Sequence, residues 1–274
     1  MKARLFRLAV LLFAATASAV AAQQPADSLA LVEAPWKTVR QQDGLVAKRA
    51  SLRVFGTDQQ ISCIEIDPGL YRLALAQDSL RTQVSRLGRE NGAAAAINGG
   101  FFRTRTDLAI AGELIKISGG YPPADVGSHS AVLGIDSSGR PHFTVSRQTK
   151  DSLWQARFPD VLIAGPMLLL AGKSLHRFDP DEMRHPRSCI GVKADGTIVL
   201  IVVDGRQKKA DGMGIGELAY TLRILGLTDA MNLDGGGSST LWIEGGKWLN
   251  SPSDRILFFP SERKVANAVL VKKR

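Results

Sequence analysis

Cysteine is nearly absent from this chain, histidine is sparse and aromatic residues are few. Its 274 residues include two cysteines, four histidines and 6% aromatics. Two cysteines exclude a disulfide scaffold. Cys63 and Cys189 can close one bridge at most, and an oxidising compartment would permit it. His129, His142, His176 and His185 show neither HxH nor HExxH spacing, so the usual zinc signatures are missing. The N-terminal apolar run, Leu8 to Ala15, is too short to span a bilayer. Repeats of fixed period, heptads and low-complexity tracts are also lacking. So are the glycine-lysine-serine/threonine ending of a P-loop and any nucleic-acid-binding motif. GMGIGEL at 212–218 superficially resembles a dinucleotide fingerprint, but no alternating strand-helix-strand unit surrounds it.

What is present begins with a sorting signal. Lys2, Arg4 and Arg7 precede the apolar run, and small residues follow up to Ala19–Ala22. This layout predicts a secretory signal peptide over residues 1–22 and an exported protein, periplasmic or secreted, with no stable membrane insertion after cleavage. Three charges of the formal +9 belong to that segment. The rest still suits an anionic partner such as a phosphorylated or uronic glycan, or a membrane surface, although solvated lysines and arginines are an ordinary surface feature.

Residues 23–45 are polar and weakly periodic and read as a linker or lead-in. Residues 46–274 read as one compact domain. Within it, short apolar runs alternate with turn signals: Asp67-Pro68-Gly69, DSSG at 136–139, KADG at 193–196 and Gly245-Gly246. Two helices are predicted. One follows Asp78 or Ser79 as N-cap and closes at Gly92. The other aligns Leu218, Leu222 and Leu225 and closes at Gly226. Many strands with two main helices give an α+β class with a mixed, mostly antiparallel sheet.

Chemistry-bearing residues gather where apolar runs end. Asn98-Gly99-Gly100 and Asp234-Gly235-Gly236-Gly237-Ser238-Ser239 are glycine turns preceded by a polar residue. Their backbone N–H groups, the serine hydroxyls and the Asn98 amide suit an anionic group such as a phosphate. Each is equally ordinary as a tight turn or bulge. Asp204 and Asp234 end VLIVVD and AMNLD, so both are half-buried candidates for a perturbed acid. Paired carboxylates are the usual equipment for cleaving a glycosidic bond, but an aspartate before glycine also simply caps a turn. Glu217 starts a helix and either serves its dipole or assists the site. Arg187 and Arg206 offer guanidinium forks for a phosphate or carboxylate, or structural ion pairs, with Arg184 and His185 nearby as a basic rim.

The order NGGFF, RSCIGV, VVDGR, GMGIGEL and AMNLDGGGSSTLW resembles the phosphodiester glycosidase family from about residue 60 to the C-terminus. The resemblance carries over at Asn98, Gly99, Gly100, Arg187, Asp204, Gly205, Glu217 and Asp234 to Ser239. It implies an α+β catalytic domain that hydrolyses the sugar C1–O bond of a sugar-1-phosphodiester. Free sugar leaves and a phosphomonoester remains. No organic cofactor is implied; a divalent metal held by two aspartates is the less favoured variant. The catalytic set is then Asp234, with Asp204 as partner or orienter and Glu217 behind them. Phosphate binding falls to Asn98, Gly99, Gly100, Arg187, Arg206, Gly235, Gly236, Gly237, Ser238 and Ser239. Two other readings stand beside it: hydrolysis of a phosphate-free envelope or host polysaccharide, and a non-catalytic glycan-binding or envelope-assembly module. Sugar, acceptor, stereochemical outcome and oligomeric state stay open.

Overall fold

In the computed structural model, residues 25–102, 115–118, 131–145 and 156–274 are described. The expected signal peptide, residues 1–22, lies outside them, as does His129.

Strands dominate, and every strand pairing among the described residues is antiparallel. The main sheet has eight strands in the order Lys37–Gln42, Leu45–Val54, Thr57–Ile66, Ile198–Val203, Arg187–Lys193, Leu227–Asn232, Met167–Leu170 and Lys173–Ser174. A second sheet orders Leu241–Ile243, Ala95–Asn98, Val265–Lys273 and Tyr71–Thr82. A third orders Ile115–Lys116, Asp160–Ala164, Ala131–Ile135 and Pro141–Val145. The chain changes sheets at Gly165-Pro166, where the apolar run DVLIAGPMLLL breaks.

Period-two burial explains the layering. Along Ile198–Val203, Ile198, Leu200 and Val202 enter the core shared by the three sheets, together with Ile64, Ile97, Leu133, Leu162 and Val269. Val199, Ile201 and Val203 point to the opposite face, where helix Ile215–Ile224 lays Leu218, Ala219 and Leu222 on them. Both faces of this strand are buried, hence its unbroken aliphatic run. The far side of the second sheet is covered by helix Val84–Glu90, through Val84 and Leu87 packed against Trp242 and Leu270.

Two expectations need correction, and one open question closes. The lead-in is folded: residues 25–32 form a helix, Asp27 accepts a hydrogen bond from Phe55 N at 2.8 Å, and Leu31 is buried in the helix-side core. Lys37–Gln42 is an edge strand; its polarity reflects exposure at the sheet margin, not absence of structure. Next, no helix begins at Asp78 or Ser79. The strand Tyr71–Thr82 runs through them as an irregularity between the pairs Gln77–Asn267 and Thr82–Val265, and the helix starts only after Gln83. Leu80, the first apolar residue after those two, is 68% exposed. Finally, Cys63 and Cys189 are free and buried. Both lie opposite Ile201, on the strands flanking it, so they are two strand spacings apart, about 9–10 Å and beyond the reach of a disulfide. Burial pushes the Cys63 thiol up to about 12 and raises Cys189 as well, which keeps both unreactive.

Candidate active site

The three sheets converge at one end of the main sheet. There Ile198–Val203 delivers Asp204, Arg187–Lys193 begins, and Leu227–Asn232 runs into Leu233 and Asp234. Register places these ends together: Arg187 pairs with Val203, and Cys189 with Asn232. The stretch Pro186–Ser188 therefore lies between the two aspartates. It is stitched to the second by Leu233 N donating to Ser188 O at 2.8 Å and Gly236 N to Pro186 O at 2.9 Å.

Asn98 enters from the second sheet and is fully buried. Its Nδ2 donates to Asp234 O at 2.6 Å, and its Oδ1 accepts from Ser188 Oγ at 2.8 Å and Thr240 N at 3.1 Å. The amide expected to meet phosphate is spent on tying both sheets to the Asp234 turn. Gly99 and Gly100 are likewise turned toward protein. A side chain at Gly99 would run into Asn267 Oδ1, and one at Gly100 would meet Ile163 O at 2.8 Å. Gly100 N already donates to Asn267 Oδ1 at 2.8 Å. These glycines are required by close packing.

The second turn differs. Asp234, Gly235 and Gly236 are half-buried, and Gly236–Ser238 forms a single 3-10 turn. Gly236 has φ +61, a left-handed conformation suited to glycine. Ser238, Ser239 and Thr240 are buried, yet the hydroxyls of Ser239 and Thr240 have no hydrogen-bond partner among the described residues. Ser238 Oγ makes no hydrogen bond of full geometry and acts only on the Asp234 carboxylate. Buried hydroxyls are normally satisfied, so these successive hydroxyls without full partners stand out from the rest of the core.

The carboxylates are held differently. Burial raises Asp234, while Ser238, the Arg263 guanidinium and Gly235 N pull it back. Asp204 is 1% exposed and pushed up to about 6 by burial, against hydrogen bonds from Ser251 N and Asn250 Nδ2. Both Asp204 oxygens receive Ser251 N, at 3.0 and 3.1 Å, and Oδ1 also receives Asn250 Nδ2 at 3.2 Å. Asn250 in turn donates to Ser239 O at 3.1 Å and accepts from Leu241 N at 2.8 Å. Asp204 thus holds the Asn250 loop, and through it the serines of the Asp234 turn. Of the two expected roles, the geometry fits the orienter.

Cations ring the turn. A side chain at Gly236 would meet the Arg206 guanidinium at 3.3 Å. Arg206 sits at φ +58, in the left-handed region, and its Nη2 lies 3.3 Å from His185 Nδ1. Arg187 is half-buried, with Nε donating to Met213 O at 2.8 Å and Nη2 lying 3.8 Å from Glu182 Oε1. Burial lowers His185, helped by the charges of Arg187 and Arg206, so the neutral imidazole is favoured there. On the other side, Arg263 pairs with Asp254 against Gly237.

Glu217 does not join this cluster. It is buried and clamped by Arg184, with Nε at 2.9 Å and Nη2 at 2.5 Å, and it accepts from Gly214 N at 3.0 Å. That is a helix N-cap and a buried ion pair, so the catalytic assignment gives way to a structural one. Glu182 occupies the same helix start, accepting from Ile215 N at 2.7 Å and Gly216 N at 3.1 Å. Asn250, Arg263 and Asn267 escaped sequence reasoning. The available signals were polar residues at apolar strand ends, as in KWLN, or within a strand, as in VANAV. Among the described residues no three His, Cys, Asp or Glu side chains form a group able to hold a metal ion.

The profile of the phosphodiester glycosidase family matches residues 91–272. N-acetylglucosamine-1-phosphodiester alpha-N-acetylglucosaminidase of Bos taurus is 28% identical over 193 residues, 64% of this chain and 35% of its own length. The chain thus spans about a third of that relative. An SPbeta prophage-derived uncharacterized protein of Bacillus subtilis is 38% identical over 90 residues, 33% of this chain and 13% of its own. Among solved structures, the zebrafish N-acetylglucosamine-1-phosphodiester alpha-N-acetylglucosaminidase catalytic domain, auto-inhibited by its pro-peptide, superposes with a TM-score of 0.68 at 20% identity. That match covers 88% of this chain and 87% of the other. A hypothetical protein from Synechocystis superposes with a TM-score of 0.59 at 19% identity, covering 88% of this chain and 64% of that one.

Proposed function

Because the chain belongs to the phosphodiester glycosidase family, we propose that it hydrolyses the bond between C1 of a sugar and the oxygen of a phosphodiester. Water supplies a hydroxyl to C1 and a proton to the departing oxygen; free sugar and a phosphomonoester result. The observation that carries this reading is the Asp234 turn: a half-buried carboxylate raised by burial, followed by buried hydroxyls unpartnered among the described residues and flanked by arginines.

The chemistry assigns the work. A phosphodiester is anionic, and its leaving phosphate needs charge stabilisation more than it needs a strong acid. Arg187 and Arg206 offer that stabilisation, with the Ser238 and Ser239 hydroxyls as further donors. In this reading Asp234 acts at C1, as base or nucleophile. Asp204 and Asn98 are positioning residues, since their oxygens and amides are engaged with protein. We extend the same proposal to location: residues 1–22 direct export, and the substrate is an anionic glycan outside the cytoplasm.

The test is turnover of a methyl phosphodiester of N-acetylglucosamine-1-phosphate and of UDP-N-acetylglucosamine, run in heavy-oxygen water, with and without chelator. The expected result is label in the sugar and none in the phosphomonoester. Asp234→Asn should lower kcat about a hundredfold or more while remaining folded. Near-normal turnover by folded Asp234→Asn, or label in the phosphate, would overturn the assignment.

A further inference from the structure

Four consecutive large apolar residues stand in solvent: Ile256, Leu257, Phe258 and Phe259 are 68%, 83%, 86% and 73% exposed. They form the tip of a two-stranded ribbon, Arg255–Ile256 with Phe259–Pro260, that pairs with no other sheet. Leu257 sits at the turn with φ +56, a conformation that bulky residues rarely adopt. So much contiguous apolar surface in water is unfavourable and marks an interaction surface.

The ribbon's base is fixed. Ser261 N donates to Asp254 O at 2.7 Å, and Arg263 grips the Asp254 carboxylate at 2.7 and 3.0 Å. The ion pair rests on Gly237 of the candidate active site. A basic turn adjoins the base: Arg206, Lys208 and Lys209 are exposed, and Gln207 between them is tied to Ser251 at 2.7 and 3.1 Å. Arg255 and Lys264 add exposed positive charge. Of the nearby acids, Asp211 is exposed and offsets one of these charges; the other two do not. Asp254 is paired with Arg263, and Glu262 is turned inward onto Ser85 at 2.7 Å.

An apolar tip with a cationic collar has the chemistry of a group that lies at the surface of an anionic bilayer, aromatics at the acyl boundary and lysines among the headgroups. A second copy would bring one cationic collar against another, which opposes self-pairing. We propose that the 255–260 ribbon docks the protein reversibly on an anionic lipid surface, with the Asp234 turn beside the headgroups. Among the described residues no helix is long and apolar enough to cross a membrane, so this contact is peripheral. The proposal stands whether or not the hydrolase reading holds.

The experiment is co-sedimentation of the full chain with phosphatidylglycerol vesicles and, separately, phosphatidylcholine vesicles, alongside Phe258→Ser/Phe259→Ser and Lys208→Glu/Lys209→Glu. All proteins keep the same N-terminal sequence, so only tip or collar differs. Wild type should bind phosphatidylglycerol preferentially, more weakly as salt rises. The phenylalanine variant should bind about tenfold less or worse, with unchanged thermal melting because both side chains are exposed. The lysine variant should lose the preference for anionic lipid. Wild type that ignores both vesicles, a phenylalanine variant that binds equally well, or concentration-dependent dimers abolished by that variant would each overturn the proposal, the last in favour of a second copy.

Discussion

Asn98-Gly99-Gly100 and Asp234-Gly235-Gly236-Gly237 look alike as sequence: a polar residue at a strand end, then glycines. In the fold they are opposites. The first is closed, its glycines filled on the missing-side-chain side by Asn267 and Ile163 and its asparagine consumed by three protein partners. The second is open. Its aspartate is only half-buried, and the hydroxyls that follow it have no full partner among the described residues. A glycine run shows that something comes close to the backbone; whether it is protein or ligand depends on residues far away in sequence. Here the first turn is closed on protein, and the second leaves its carboxylate and hydroxyls for the role proposed above.

Gly99→Ala should give the sharpest contrast. The added methyl group runs into Asn267, itself buried on the central strand of the second sheet, so neither side can yield. The expected loss is about 1–3 kcal/mol by urea unfolding, with any loss of activity following from the shift of Gly99 O, which accepts from Asp234 N at 3.0 Å. Gly237→Ala puts its methyl group against the side-chain ends of Arg263 and Asp254, which can move. It should cost about 1 kcal/mol or less and appear instead as a fall in kcat, because Arg263 acts on Asp234. Equal destabilisation by the two substitutions would end the distinction between a packing turn and a working turn.

The next effect is one of pH. Asp204 titrates near 6 in the folded protein, above its unfolded value near 4, because burial penalises the charged form. Between those values the folded state holds the proton more tightly. Its stabilising influence is therefore present at low pH and is lost as pH rises through about 6. Between pH 5 and 7 the loss should be roughly 1 kcal/mol from this group. Asp234 and Glu262, also raised by burial, contribute with the same sign. Chemical denaturation at pH 5 and 7 should show a decline that shrinks in Asp204→Asn. An undiminished decline would remove Asp204 from the account.

Much of this architecture was legible before the fold was known. The KADG and DSSG hairpins, the helix carrying Leu218 and Leu222, and the closing strand ANAVLVKK depend on local turn chemistry and periodicity, and they stand where expected. The failures are tertiary. Asp78 and Ser79 signal a helix start, but the pairing of Gln77 with Asn267 and Thr82 with Val265 on either side carries the strand through them. Glu217 looked like a third acid because nothing local reveals that Arg184, 33 residues earlier, neutralises it. The two glycine turns were visible as a pair, but their division of labour was not. Asn98 is assigned by Ser188, Asp234 and Thr240, and Asp204 by Asn250 and Ser251.

The smallest effect on stability is the most specific test of the open turn. Removing a buried hydroxyl usually costs stability because it strands a partner. Ser239 Oγ has no partner to strand among the described residues, so Ser239→Ala should change unfolding free energy by no more than about 0.5 kcal/mol, in either direction. If that hydroxyl instead donates to the substrate phosphate, the same substitution should lower kcat/KM by about tenfold, the worth of a hydrogen bond to a charged group. Stability lost with activity intact would mean that the hydroxyl serves the fold through a bound water. A second turn of that kind would be as closed as the first.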